Sequence, residues 1–315
     1  MKKVLVFGAA GNIGLELIKY LLSEGKYEIT AVDLRNRRSH HNLKKYRRRI
    51  NIVYGDMNDH ILIDNLVAEH DYIYLVAGVI PPLGDLKKSL LKEMEYNGIK
   101  NVLRGVKAYK PEAKIIYLST TSLYGLQDKV TVKTKPDYSE FDYYIKNKLD
   151  CEALITKSAK NYVIYRIPVV LGNFKNDFPI YNVKANDDTT KFDVITCSDC
   201  AYGLVKTIDN YDKVNNHIYN MTGGKDCLIN IKEYKYLLLS LYGISFRYLF
   251  TKLFVPKNFY LNQISDADKL EDILHFRSET ITSYRIRIKR SKQYYHRRIA
   301  RLLAIPFLPN IDKEV

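Results

Sequence analysis

The chain has 315 residues, is 46% hydrophobic and 27% charged, and carries a formal net charge of +15. These values exclude a disordered chain and suit one large α/β unit or two closely joined lobes. The mean hydropathy is −0.26 and no apolar run reaches about 18 residues, which argues against a membrane span. Four cysteines make no disulfide framework, so a reducing cytoplasm is expected.

The first half alternates short apolar runs with helical periodicity. Strands are expected at Lys3–Phe7, Glu28–Val32, Asn51–Tyr54, Tyr72–Val76, Ala113–Leu118 and Tyr162–Ile167. Helices are expected at Asn12–Ser23, about 86–109 and about 140–160. This alternation specifies a Rossmann-type doubly wound parallel sheet, and the remainder is expected to form a smaller, mostly C-terminal lobe. After Gly172 the pattern loosens. Residues 173–190 read as an excursion, Phe192–Ile195 and His217–Met221 as returns to the sheet, and 199–209 as a helix. The expected division is 1–172 and 191–222 for the sheet-bearing unit, and 173–190 and 223–315 for the smaller lobe.

Positive charge gathers in 35–49 and 285–301, and attracts anions: phosphorylated substrates, acidic membranes or nucleic acid. No nucleic-acid reading module accompanies it, so no nucleic-acid partner is expected. The second cluster runs into Leu302–Leu308. Two readings apply to 285–308: peripheral contact with an anionic membrane, or a helix docked on the body with a solvated basic face.

Gly8-Ala9-Ala10-Gly11-Asn12-Ile13-Gly14 lies between a strand and a helix. The first glycine permits a tight turn, the second a close approach of backbone to a diphosphate, and the third helix–strand packing. The helix N-terminus adds partial positive charge. Asp33 closes the next strand, where a carboxylate binds adenosine ribose hydroxyls. It favours NAD over NADP. Arg35, Arg37 and Arg38 follow at once and offer an alternative partner for a 2′-phosphate, so NADP stays open.

A Tyr-x-x-x-Lys pair on a helix sets both side chains on one face, and the ammonium acidifies the phenol for proton transfer. With 27 tyrosines the bare pattern means little. It occurs as Tyr96/Lys100, Tyr144/Lys148, Tyr202/Lys206 and Tyr248/Lys252. Only Tyr144/Lys148 follows a strand ending in hydroxyls, Ser119-Thr120-Thr121-Ser122, and carboxyl ends of parallel strands hold ligands. Cys197-Ser198-Asp199-Cys200 reads as a helix start, with Asp199 as N-cap and the cysteines packed around it. No metal site is expected.

Together, Gly8/Gly11/Gly14, Asp33, Gly55-Asp56-Met57, Leu75-Val76-Ala77-Gly78, Asn97, Ser119–Gly125, Tyr144/Lys148 and Arg166-Ile167-Pro168 resemble the extended short-chain dehydrogenase/reductases, which include the NAD-dependent epimerases and dehydratases. The resemblance implies Tyr144 as catalytic acid/base, Lys148 as its ribose-binding partner, and Thr120 as the hydroxyl that hydrogen-bonds the reacting oxygen. It implies a cofactor site formed by Gly8, Gly11, Asn12, Ile13, Gly14, Asp33, Asp56, Met57, Val76, Ala77, Gly78, Asn97, Tyr144, Lys148 and Pro168. It further implies that the unit 1–172 and 191–222 binds the dinucleotide, that 173–190 and 223–315 form the substrate lobe, and that the chain forms a homodimer through the 86–109 and 140–160 helices.

The implied activity is hydride transfer at a sugar carbinol, by a sugar-nucleotide epimerase or dehydrogenase. Thr121 and Ser122 stand where the family's 4,6-dehydratases carry an Asp-Glu pair, which disfavours that reaction. An NADPH-dependent keto-sugar or other carbonyl reductase is the alternative. A non-catalytic NAD(P)-sensing protein is the alternative of another class; such proteins usually lose the tyrosine and lysine that this chain keeps.

Overall fold

The structure, a computed structural model, describes residues 1–78, 88–127, 129–139, 142–172, 181–184, 189, 191–242, 255–291 and 294–295. Most of the 173–190 excursion, most of the 285–308 basic segment and the Tyr248/Lys252 pair lie outside them.

Seven strands build the main sheet: β1 (Lys2–Phe7), β2 (Tyr27–Asp33), β3 (Asn51–Tyr54), β4 (Tyr72–Leu75), β5 (Lys114–Thr120), β6 (Asn161–Ile167) and β7 (His217–Asn220). Their spatial order is β3-β2-β1-β4-β5-β6-β7, and every neighbouring pair is parallel. The order reverses between β1 and β4, which opens a crevice beyond their carboxyl ends.

Side chains alternate across the pleat. Val4 and Val6 pack with Leu17, Ile18 and Leu21 of α1 (Asn12–Glu24), and with Leu204, Val205 and Ile208, all buried. Leu5 and Phe7 pack on the opposite face with Ile63 and Val67 of the helix His60–Glu69 and with Val102 and Val106 of the helix Gly98–Tyr109. The helices are α2 (Arg37–Leu43), α3 (His60–Glu69), α4 (Gly98–Tyr109), α5 (Tyr143–Ser158) and α6 (Cys197–Asp209). A sheet covered on both faces needs apolar residues at consecutive positions, which explains the unbroken runs in the sequence. Tyrosines supply part of this core. The hydroxyl of buried Tyr74 donates to the Leu204 carbonyl at 2.8 Å, and that of Tyr165 lies 2.8 Å from Thr207 Oγ1, so neither is left unsatisfied.

The strand expected at Phe192–Ile195 does not return to this sheet. Lys191–Thr196 pairs in parallel with Val169–Leu171 and antiparallel with Leu228–Asn230, forming a smaller sheet. Pro168 accounts for the break: it offers no N–H to the ladder, and the chain leaves the main sheet there. Phe192 and Val194 join a separate buried cluster with Leu171, Ile229 and Tyr284.

The N-cap of α6 is Thr196, not Asp199: its hydroxyl accepts from Asp199 N at 3.1 Å. Asp199 lies inside the first turn. Its carboxylate accepts instead from Ser278 Oγ at 2.7 Å and Glu279 N at 3.0 Å. Cys197 and Cys200 are free and buried. Burial pushes the Cys200 thiol up to about 12, so it is inert. Among the described residues no helix is long and apolar enough to cross a membrane.

Candidate active site

Gly8 takes φ +79°, and a Cβ there would fall 2.5 Å from Ala77 N. A side chain would therefore separate β1 from the end of β4. A Cβ on Gly14 would lie 2.3 Å from the Gly8 carbonyl oxygen, so α1 can seat against the loop only without one. Gly11 precedes α1 and offers no side-chain cap, which leaves the first amides of that helix, beginning at Asn12 and Ile13, available to an anion. Asn12 reaches towards Gly172, whose added Cβ would stand 3.2 Å from Asn12 Nδ2.

Asp33 turns towards this loop. Its Oδ2 accepts from Ala10 N at 2.8 Å and its Oδ1 from Leu34 N at 2.9 Å. Burial pushes the carboxyl above its ordinary value, against those two amides and the Arg38 charge. Arg35, Arg37 and Arg38 are exposed just beyond. After β3, Asp56 Oδ1 accepts from Asn58 N at 2.9 Å, and the Met57 carbonyl accepts from Asn101 Nδ2 at 2.8 Å. The Met57 side chain lies over Gly98 at the start of α4. Val76 continues β4, with its amide donating to the Phe7 carbonyl at 3.2 Å. Ala77 and Pro168 are half-buried and Gly78 is exposed at the rim.

Tyr144 and Lys148 share one face of α5 and are 8% and 5% exposed. Lys148 Nζ sits 5.8 Å from the Tyr144 ring centre and 4.8 Å from that of Tyr117. It donates to the Leu118 carbonyl at 2.9 Å, which ties α5 to β5 two residues before Thr120. A Cβ on Gly78 would stand 3.6 Å from Lys148 Nζ, so the lysine also reaches the loop after β4. Thr120 Oγ1 accepts from Ser122 N at 3.1 Å, which leaves its own O–H to be donated. Tyr144 packs in one buried cluster with Leu123 and Tyr124 of the turn that follows. The Tyr96/Lys100 and Tyr202/Lys206 pairs lie elsewhere: Lys100 is exposed, and Lys206 covers the Tyr202 ring at 5.0 Å on the α6 surface.

Sequence reasoning missed Glu95. It is 3% exposed and lies in the π-helical turn Lys92–Asn97 that leads into α4. Its Oε1 accepts from Lys148 Nζ at 2.6 Å and from Tyr117 OH at 3.0 Å, and its Oε2 from Asn147 Nδ2 at 3.2 Å. Burial alone pulls the Lys148 ammonium down, but the Glu95 charge, with Tyr144, holds it above its ordinary value. Asn97, the residue expected to face the cofactor from this helix, is exposed. One signal was available. Glu95 follows Leu91 by four and precedes Gly98, Ile99 and Val102 at helical spacing, so a carboxylate occupies a core-facing position.

Residues 4–222 match the model of the NAD dependent epimerase/dehydratase family. The chain belongs to that family. Solved structures agree in fold across nearly the whole chain. A UDP-glucuronic acid 4-epimerase from Bacillus cereus, solved with NAD, is 21% identical and superposes with a TM-score of 0.74, covering 93% of this chain and 98% of that one. A UDP-glucose 4-epimerase from Thermotoga maritima, solved with UDP-glucose, is 17% identical with a TM-score of 0.73, covering 94% and 99%. A dTDP-glucose 4,6-dehydratase from Streptomyces venezuelae, solved with NAD, is 18% identical with a TM-score of 0.74, covering 93% and 98%. Epimerases and dehydratases thus share this architecture, and the side chains at the strand ends must separate them.

Proposed function

We propose that the chain is an NAD-dependent sugar-nucleotide epimerase that oxidises a sugar carbinol and reduces the resulting ketone on its other face. The observation that carries this reading is the position of Lys148, which shares one face of α5 with Tyr144, donates to the Leu118 carbonyl two residues before Thr120, and lies against the loop at Gly78. The residues fit a dinucleotide. The glycine turn forms a cradle that a Cβ on Gly8 or Gly14 would fill, α1 presents uncapped amides to a diphosphate, and Asp33 is poised for ribose hydroxyls. Asp56 and Met57 would flank the adenine, and Val76, Ala77, Gly78 and Pro168 the nicotinamide. Bound NAD supplies the hydride acceptor and donor.

The chain's own residues move the proton. Tyr144 takes the proton of the substrate hydroxyl as the carbinol is oxidised and returns it when the ketone is reduced. The Lys148 ammonium favours the phenolate and keeps an N–H for a ribose hydroxyl. Thr120 donates its O–H to the reacting oxygen. Thr121 and Ser122 are buried hydroxyls with no acid strength at neutral pH, which supports epimerisation over dehydration. The 4-epimerases similar in fold act on UDP-sugars, and a substrate of that class suits the positive charge of the chain. The homodimer through 86–109 and 140–160 belongs to the same reading, and sedimentation of the full chain tests it.

The reaction class is tested with nucleotide sugars deuterated at C4, incubated with the purified chain and NAD. Epimerisation predicts an epimer that keeps deuterium at C4, with no accumulation of NADH. Stoichiometric NADH would make the chain a dehydrogenase, and a 4-keto-6-deoxy product would make it a dehydratase.

A further inference from the structure

The Glu95–Lys148 pair sets a full negative charge against the cation beside Tyr144. It is a built arrangement. Both side chains are buried, the ion pair measures 2.6 Å, and Tyr117 OH and Asn147 Nδ2 hold the carboxylate from two further directions. Leu118 O and Glu95 Oε1 take two of the three Lys148 N–H donors, which fixes the direction of the third.

We propose that Glu95 is a positioning residue that sets the acidity of the site, holding Lys148 in place while cancelling most of its charge, so that Tyr144 keeps its proton to higher pH than an uncompensated lysine would allow. This rests on the reading of Tyr144 as acid/base. Charge balance carries the argument. With Glu95 the carboxylate, ammonium and phenol sum to zero, and loss of the phenol proton leaves a net negative charge away from water. With a neutral residue at 95, the same loss takes the site from net positive to neutral, which a low-dielectric site favours.

The neighbours behave as the charge requires. Among the described residues, the Glu95 charge acts on Tyr117 of β5 and on Lys148 and Cys151 of α5, and Tyr144 acts in turn on Tyr117 and Lys148. After burial, the Glu95 charge is the next cause holding the Tyr117 phenol well above its ordinary value and pushing the Cys151 thiol up to about 12. The other carboxylates of α5 look elsewhere. Asp150 accepts from Lys146 at 2.8 Å, Glu152 pairs with Arg166, and Asp142, just before the helix, accepts from Tyr260 OH at 2.9 Å.

The test is a difference titration of the phenolate absorbance, using the purified full chain with and without Tyr144→Phe. It is repeated in Glu95→Gln and in Glu95→Asp backgrounds. The expected result is a Tyr144 step that moves down by about one pH unit or more in Glu95→Gln and stays near the wild-type position in Glu95→Asp, which keeps the charge. An unchanged or raised midpoint in Glu95→Gln overturns the proposal, and so does an equal shift in Glu95→Asp. If Glu95→Gln does not fold, Glu95→Asn removes the same charge and decides in its place. If only the charge-keeping variant folds, the carboxylate is a structural partner and the proposal fails. The titration needs no substrate, so its failure is distinct from a failure of the epimerase reading, which shows in turnover by Tyr144→Phe.

Discussion

A methyl group at position 14 has nowhere to go, since the Gly8 carbonyl and the Ala9 backbone already occupy its place. Gly14→Ala must push α1 off the loop, at a cost of roughly 1–3 kcal/mol. We expect a lower urea midpoint together with weaker NAD binding, whereas a change that only cost helix stability would leave NAD affinity intact. Asp193 makes a second residue-level case. Burial lifts its carboxyl to about 6, against hydrogen bonds from Ile264 N and Thr222 and the Arg277 charge. The folded value lies above the unfolded value of about 4. The favourable contribution is therefore complete below about pH 4 and is lost as pH rises through about 6. Asp193→Asn has no such loss. Its Tm relative to wild type should rise between pH 5 and pH 7.5; a constant difference would refute the assignment.

Between elements, a buried polar network fixes the turn that follows Thr120. Arg166 of β6 binds Glu152 of α5 through Nε and Nη2, at 3.0 and 2.7 Å, and donates from Nη1 to Tyr124 OH at 3.0 Å. Tyr124 OH donates to Asn220 Oδ1 of β7 at 2.8 Å, and Asn220 donates on to Asp266 at 2.9 Å. Arg166→Met leaves a buried carboxylate alone and should cost about 3–5 kcal/mol in urea unfolding. The pair Glu152→Leu with Arg166→Met should cost much less, and equal losses would show that the ion pair itself is not the cause. The strands of the main sheet, the longer helices and the glycine turn were legible in the sequence because apolar periodicity and glycine spacing are local signals, whereas α2 and α3 were not expected. Pro168 was legible as a family match but not as a sheet break, since the partners of 191–196 are set by tertiary pairing. Glu95 was hidden for the same reason: a carboxylate at a core position announces a partner without saying which. The Tyr144/Lys148 pair had to be chosen by context, because its spacing recurs along the chain.

At the scale of the whole molecule, the +15 charge and the exposed basic run Arg35–Arg49 should draw anionic substrates to the crevice. For a nucleotide sugar, kcat/KM should fall as salt rises, with kcat little changed; insensitivity to salt would show that this charge takes no part in capture. In the proposed function NAD, sugar and proton carrier meet at the reversal of strand order, and everything there depends on Tyr144. The most direct measurement compares wild type with Tyr144→Phe, assaying epimer formation over a panel of UDP- and dTDP-sugars beside NAD affinity. Wild type should interconvert at least one of them, and the variant should be slower by about a hundredfold or more while binding NAD nearly as tightly. Turnover in the variant at the wild-type rate would contradict the role proposed for Tyr144.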